Sequence, residues 1–524
     1  MSKKNLLLIL ATEQGYIHNS NADIDFSFGN ECLFTSISNT YIPLLNLLSK
    51  LEAEGVAVKL GIVLNASLCT LLSNARIQQQ YIEWLDKRIA FGDTELERNK
   101  DNPDILKNVQ SCLKKLQKDK IDFMQTYKSN LVRAFRRFAD KGLLELIPTA
   151  ATNMYMPHYA DLKEVMNAQV ETGLFAHKTF FGETGDGFYL PYMGWAKGID
   201  KVLHSYGVNY TIIDARSFMF AEKLSETGIF YPARTAHSLV LFGRDNDTPK
   251  DIKGENGFMS NPVYRCEQRD AGYELPAESL KTFLGEDPKR LQTEFKYWTT
   301  SAVYNEEAAA QQAKNDADQF FEAKKSKLSQ AQEYLAEKDA TLACVIPLET
   351  LGTEWHEGIL WLEHLIRRIA ETEDLQMTFC KSCIKDLFLL QKIEPYPCSS
   401  EGTGYAENLL DNSNNWMMRY IRKASERMVD LTERFPTETG IKARLLNLAA
   451  RQVLIAESND WGKMIHEGRL PDFAMETFKD CILNFTAIFD SLASNTVSTE
   501  WLCNLEKKDL LFPWINYKVF SRKK

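Results

Sequence analysis

Short apolar runs alternate along the first two thirds of the chain with longer stretches whose apolar residues recur every three or four positions. Asn5 to Leu10 and Val56 to Leu64 are the first two such runs. Their length and unbroken apolar character predict strands buried on both faces. Between them, Tyr41 to Glu54 has the period of an amphipathic helix, with Pro43 near its first turn. From Asn74 to Asp140 the pattern becomes that of long helices. Ile77, Tyr81, Trp84 and Leu85 form one stripe, Ile105, Val109, Leu113 and Leu116 a second, and a third helix runs through Leu131 and Phe135. A helical block of that size between strands predicts an inserted subdomain or lid. Strand patterns return at Leu143 to Ala151, around Tyr189, at Tyr210 to Asp214 and at Ser238 to Phe242, with Phe295 to Thr300 and Leu342 to Leu348 as further candidates. The helix between those last two carries Ala310, Ala313, Ala317, Phe320, Phe321 and Leu328 at helical spacing. From Glu357 to about Leu492 the pattern is helical, broken by a Pro/Ser/Gly loop from Pro395 to Gly404.

About seven strands alternating with helices predict an α/β fold, either a parallel barrel or an open doubly wound sheet, followed by a helical region. The stretch Gly187 to Trp195 (GFYLPYMGW) is central to either. It reads as a short buried strand that stops at Pro191 and delivers aromatic side chains beyond its end, where α/β enzymes keep their chemistry. Ala196 to Tyr206 then has helical spacing and Gly207 closes it.

Charge and cysteine usage narrow the function classes. A net charge of -9 argues against non-specific nucleic-acid binding, which needs a basic surface. The apolar run at the N-terminus is too short for a membrane span, so the expectation is a cytoplasmic protein with no membrane partner. The 10 cysteines are scattered as reduced thiols would be, and Cys380 and Cys383 form a lone C-x-x-C without a second ligand pair. The 8 histidines show no metal-binding spacing, so no metal is expected.

Several stretches carry a resemblance. Glu31 to Leu51, Ala134-Phe135-Arg136-Arg137 leading through Leu143 to Thr152, Phe188-Tyr189-Leu190-Pro191, Pro262-Val263-Tyr264-Arg265 with Arg269-Asp270-Ala271-Gly272, Ala449-Ala450-Arg451-Gln452 and Ser458-Asn459-Asp460-Trp461 resemble glycoside hydrolase family 57, in the branch of 1,4-α-glucan branching enzymes and α-amylase-like proteins. The resemblance implies an incomplete seven-stranded (β/α) barrel over residues 1–355, a helical insertion at about 74–140 and a C-terminal α-helical domain over 356–524. It also implies an α-glucan or oligosaccharide ligand and chemistry without a metal or organic cofactor.

The chain departs from the family pattern where it matters most. The family's nucleophile is a glutamate directly after the Leu-Pro pair, and here that place is Tyr192. Its acid/base is an aspartate two residues before a glutamate at the end of the last barrel strand, and here Pro347 precedes Glu349. The opening His-x-His is Ala11-Thr12-Glu13, and a later histidine is Asn153. Retaining glycosidases need two carboxyl groups about 5 Å apart. Tyr192, Glu349 and Glu13 are therefore the candidates for a rebuilt reaction, with packing or scaffold roles as the competing readings. Candidate sugar contacts are Tyr16, Asn153, Trp195, Asp214, Arg244, Trp355 and Trp461, chosen as strand-end polar groups and loop aromatics. Core packing competes for the rings, an N-cap for Asp214 and an ion pair for Arg244. Gly352 to Gly358 keeps the glycines and one tryptophan of a family motif. Three function classes remain open at this point: glucan binding or scaffolding without ordinary hydrolysis, a divergent glycosidase or transglycosylase, and a barrel adapted to a non-carbohydrate ligand.

Overall fold

The computed structural model describes residues 3–18, 28–284, 290–494 and 496–523. Met1 and Ser2, with which the N-terminal run opens, lie outside them. Seven parallel strands form the centre of the molecule: β1 Lys4–Ala11, β2 Leu60–Val63, β3 Leu144–Leu146, β4 Gly187–Tyr189, β5 Tyr210–Ile213, β6 Val240–Gly243 and β7 Ala340–Pro347. Hydrogen-bonded ladders join β3, β2, β1 and β7 in one group and β4, β5 and β6 in another. Two single parallel bridges connect the groups into a ring, Thr149 to Tyr189 between β3 and β4 and Arg244 to Ala343 between β6 and β7. Those bridges make the sheet a barrel with two loosely laddered seams instead of an open sheet.

The period of two explains the core. Leu7, Ile9 and Ala11 of β1 point into the barrel with Val63, Ile147, Tyr210, Ile212, Val240, Phe242, Ala343 and Val345. Leu6, Leu8 and Leu10 point outward into the larger cluster that packs the helices on the barrel. With both faces covered, consecutive positions are mostly apolar, which is why Leu6 to Leu10 of β1 reads as a continuous run.

Two expectations need correction. Phe295 to Thr300 is not a strand: its backbone is used by turns, with Ala271 donating to the Phe295 carbonyl and Cys266 to that of Trp298. The alternation arises because Phe295 and Tyr297 face the insert, the first packing on Phe91 and the second donating to Glu95 at 2.6 Å. The helical reading from Glu357 onward holds for Gly358–Ala370 and again from Trp416. Residues 371–415 instead run along the barrel as turns and isolated bridges, with Gln376–Met377 pairing the N-terminal end of β1. Its apolar residues Cys380 and Leu390 plug the barrel interior.

The insert begins where the sequence provides a cap. Asn74 accepts hydrogen bonds from the Arg76 and Ile77 amides, opening the helix Ala75–Arg98. That helix packs on Pro103–Ile121. At the other end of the chain, helices Trp416–Arg434, Gly440–Ala456, Asp460–His466, Pro471–Ser494 and Thr499–Lys508 form a bundle. No helix of the described residues is long and apolar enough to cross a membrane. Gly352 has φ +105°, and a Cβ there would lie 1.8 Å from the Asn39 carbonyl oxygen, so the glycine of that motif is a steric necessity.

Glu457 ties the bundle to the barrel. It is 2% exposed and accepts from Gln169 of the barrel helix Lys163–Phe181 and from Ser425 of the bundle, each at 2.8 Å. Burial raises its pKa to about 8. The folded chain therefore keeps this proton well above the pH at which the unfolded chain releases it. Between those pH values the folded state binds more protons, and stability falls as pH rises, by up to about 1.4 kcal/mol per unit. Glu457→Gln should flatten that slope in urea unfolding measured from pH 5 to 8; an unaltered slope would show that another group is responsible.

Candidate functional site

The C-terminal ends of the strands open into a cavity of about 590 Å³, a size that suits an oligosaccharide or other small ligand. Its wall is contributed by the β1 exit (Thr12, Glu13, Gln14), Thr149 and Asn153 after β3, Tyr189 and Tyr192 at β4, and Pro347 and Glu349 at β7. The helical end of the chain supplies Asp460, Lys463 and Arg469, and the loop after Pro395 supplies Ser400 and Glu401.

Tyr192 is placed by an unusual backbone. Pro191 ends the strand, and both Tyr192 and Met193 take left-handed φ values, 56° and 49°. Such residues cost about 1–3 kcal/mol each and persist only where their surroundings impose them. Here the Tyr192 carbonyl accepts three hydrogen bonds, from the Ser400 amide at 2.9 Å and from the Ser399 and Ser400 hydroxyls at 3.0 and 2.8 Å. The tyrosine hydroxyl consequently points at Asp460 and donates to it at 3.2 Å. Burial, reinforced by the carboxylates of Asp460, Glu401 and Glu13, pushes the phenol well above its ordinary pKa, so it stays protonated.

Asp460 is the hub of the cavity. It also accepts from Asn153 at 3.0 and 3.2 Å and from Ser458 at 2.8 Å. Burial raises its pKa against those hydrogen bonds and the nearby Lys463 ammonium. Lys463 lies 3.9 Å from Glu13 and 3.7 Å from Glu401, with its ammonium over the Tyr192 ring. Burial opposes its charge, yet the two carboxylates hold its pKa above the usual lysine value. Glu13 is raised by the desolvating walls around it, with Lys463 acting in the opposite direction.

Glu349 is tied to the backbone of Glu13. Its Oε1 accepts from Thr12 at 2.5 Å and Tyr41 at 2.7 Å, and its Oε2 accepts the Glu13 amide at 3.0 Å. Burial still leaves its pKa raised. These contacts use Glu349 to clamp β7 to the β1 exit.

The other sequence candidates divide sharply. Asn153 lines the cavity and orients Asp460. Asp214 does not: it is fully buried and caps the following turn, accepting from the Arg216 amide and guanidinium, from Arg244 at 2.6 Å and from Asn246. Arg244 is thereby an ion-pair partner, not a ligand contact. Tyr16 is buried and accepts the Leu510 amide at 2.8 Å. Trp195 is buried behind the loop, its backbone bridged to Cys398. Trp355 packs on Tyr264 and Trp361, and Trp461 is fully buried with its indole donating to the Ile455 carbonyl. None of these six lines the cavity. Asp460, Lys463 and Glu401 were missed. Asp460 stands next to Trp461 in a stretch that already carried the resemblance, and Glu401 lies in the polar loop noted after Pro395. Among the described residues no group of three or more His, Cys, Asp or Glu side chains is arranged to hold a metal ion.

Comparison with known proteins agrees with this architecture. The model of "Glycosyl hydrolase family 57" matches residues 8–393, and that of "1,4-alpha-glucan branching enzyme, C-terminal" matches 420–520. The chain is 25% identical over 533 residues to a 1,4-alpha-glucan branching enzyme of Thermococcus kodakarensis, covering 94% of this chain and 74% of that protein. The crystal structure of the alpha-amylase AmyC from Thermotoga maritima superposes with a TM-score of 0.92 at 25% identity over 100% of both chains. A branching enzyme from Pyrococcus horikoshii superposes with a TM-score of 0.87 at 20% identity, over 99% of this chain and 97% of the other, a likeness of fold.

The charge arrangement predicts a titration. Lys463→Met removes the cation that favours the ionised form of Glu13, so its midpoint should rise, read from the carboxyl carbon shift in a chain labelled at glutamate. A midpoint that stayed in place would mean that the ammonium does not set the charge state of this carboxylate.

Proposed function

The chain belongs to glycosyl hydrolase family 57, and from that premise we propose that it serves α-glucan metabolism by binding or scaffolding a glucan, without ordinary hydrolysis. The relatives act on α-glucans by name, and the cavity occupies the strand-end position where such barrels hold their ligands. The observation that carries the reading is the β4 exit. Where the family resemblance asks for a carboxylate nucleophile there is Tyr192, a protonated phenol already committed to Asp460. The carboxylate retained at the β7 end, Glu349, is engaged by three scaffold donors, the Thr12 and Tyr41 hydroxyls and the Glu13 amide.

One arrangement favours a divergent glycosidase or transglycosylase instead. Glu13 and Glu401 flank the same ammonium, so no more than the sum of their two distances from it separates them. That bound overlaps the span of about 5 to 9.5 Å that glycosidase carboxyl pairs use. Yet Glu401 also accepts from Asn408 at 2.6 Å, and Lys463 occupies the space beside both. A positive charge there opposes an oxocarbenium-like transition state, whose own charge it would repel.

Two measurements decide between the readings. Calorimetric titration of the purified chain with maltoheptaose should give a saturable isotherm that Asp460→Ala weakens. Amylose incubated with the chain should keep its iodine absorbance and its number of reducing ends. A change of chain length or branching that disappears in Glu13→Gln or Glu349→Gln would overturn the binding role in favour of catalysis.

A further inference from the structure

We infer that the outer face of the loop bearing Ser400 and Glu401 is a second glucan-binding site, an aromatic platform made by Phe220, Tyr396 and Tyr405 at the rim of the cavity. The inference rests on the reading of the cavity as a glucan site. Phe220 is 59% and Tyr405 66% exposed. Phe220 meets Tyr396 at 5.9 Å between ring centroids, and the Tyr396 and Tyr405 hydroxyls lie 3.3 Å apart. Three large rings left together in water cost apolar hydration, and a patch of that kind marks an interaction surface. The apolar faces of pyranose rings stack on such side chains, and the phenol hydroxyls add hydrogen-bonding groups suited to sugar hydroxyls.

The platform is held rigid from beneath. The Tyr396 amide donates to the Ser217 carbonyl at 2.9 Å. Arg216, itself fixed by Asp214, donates to the carbonyls of Ser399, at 2.9 Å, and of Thr403. Rings on a fixed backbone lose little freedom when a ligand arrives. The loop therefore has two working faces. Its inner face carries Ser400 and Glu401 into the cavity, while its outer face carries Tyr396 and Tyr405. A chain lying on the outer face is delivered to the rim within a few residues' reach of the cavity, which raises its local concentration there. The occupant is thus a neutral polysaccharide long enough to span both places. Leu224 and Phe388 extend the exposed apolar surface nearby, so pairing with a second copy of the chain is the outcome to separate from sugar binding.

The test uses the full chain and its Phe220→Ala/Tyr405→Ala variant, both substitutions being at exposed positions. Native gels cast with increasing glycogen should retard the wild type, and the variant should need about tenfold more glycogen for the same retardation. Maltotriose, too short to span rim and cavity, should bind both proteins equally in calorimetry. Equal retardation of the two proteins by glycogen would overturn the platform, and maltotriose binding would then leave the cavity reading standing. Retardation lost in the variant, with no maltotriose binding by the wild type, would support the platform and sink the cavity reading. A wild-type dimer in sedimentation velocity that the variant turns into monomer, without a glycogen effect, would identify the rings as a self-association surface and overturn the proposal.

Discussion

Asp460 is the constraint on which the mouth of the barrel depends. It reaches from the helical end of the chain into the strand-end cavity and accepts from Asn153 after β3, from Tyr192 after β4 and from Ser458 in its own turn. The approach is close enough that a Cβ on Gly15 would sit 2.8 Å from its Oδ2. A buried carboxylate with fewer donors would be costly, because removing the group from water must be offset by hydrogen bonds or a partner charge. Each donor is therefore fixed in place by the same requirement that keeps Asp460 folded inward. The bundle and the barrel meet here in a polar joint, as they do at Glu457, and this joint forms part of the cavity wall.

The same accounting governs the rest of the wall. Glu13, Glu401 and Lys463 sit as one cation between two anions, and Glu349 is met by Thr12 and Glu13 just after β1 and by the hydroxyl of Tyr41. Further from the mouth, Asp245 is buried with Lys324 and Lys327 and is held at a pKa of about 2, burial being outweighed by the two ammonium groups. Asp245 and Asp214 are satisfied wholly by protein donors and partner charges. Glu13, Glu401 and Asp460 differ in lining the cavity, where a ligand can meet them. The wall carries eight carboxylates against Lys253, Lys296, Lys463 and Arg469, and such a surplus of acceptors suits a neutral polyhydroxyl ligand, whose hydroxyls can donate to them. An anionic sugar would meet net repulsion.

Strand positions were legible because burial on both faces of a barrel strand favours apolar residues at consecutive positions. The run Leu6 to Leu10 announces β1 without any tertiary information, and the break at Pro191 announces the end of β4. Phe295 to Thr300 misled for a related reason: it alternates because one side packs on the insert and not because it joins a sheet. Residues 371–394 misled because apolar residues among them, Cys380 and Leu390, plug the barrel interior from a turn-rich backbone, where spacing carries no helical meaning. Among the site candidates, position at a strand end led to Tyr192, Glu13, Glu349 and Asn153, all of which line the cavity. Aromatic character near a loop failed for Trp195, Trp355 and Trp461, since large rings are more readily spent on filling volume.

What the chain determined alone was the alternation of strand and helix and the presence of a tyrosine where a carboxylate was expected. Periodicity and residue type are local properties, and they survive without knowledge of neighbours. Only the tertiary structure decided which acids face the cavity. Asp460 lies 268 positions from Tyr192 in sequence, and Glu401 and Lys463 meet Glu13 from the far end of the chain. Contacts between segments so distant are set by how the bundle packs on the barrel, a global balance of buried area and satisfied polar groups that no window of the sequence contains.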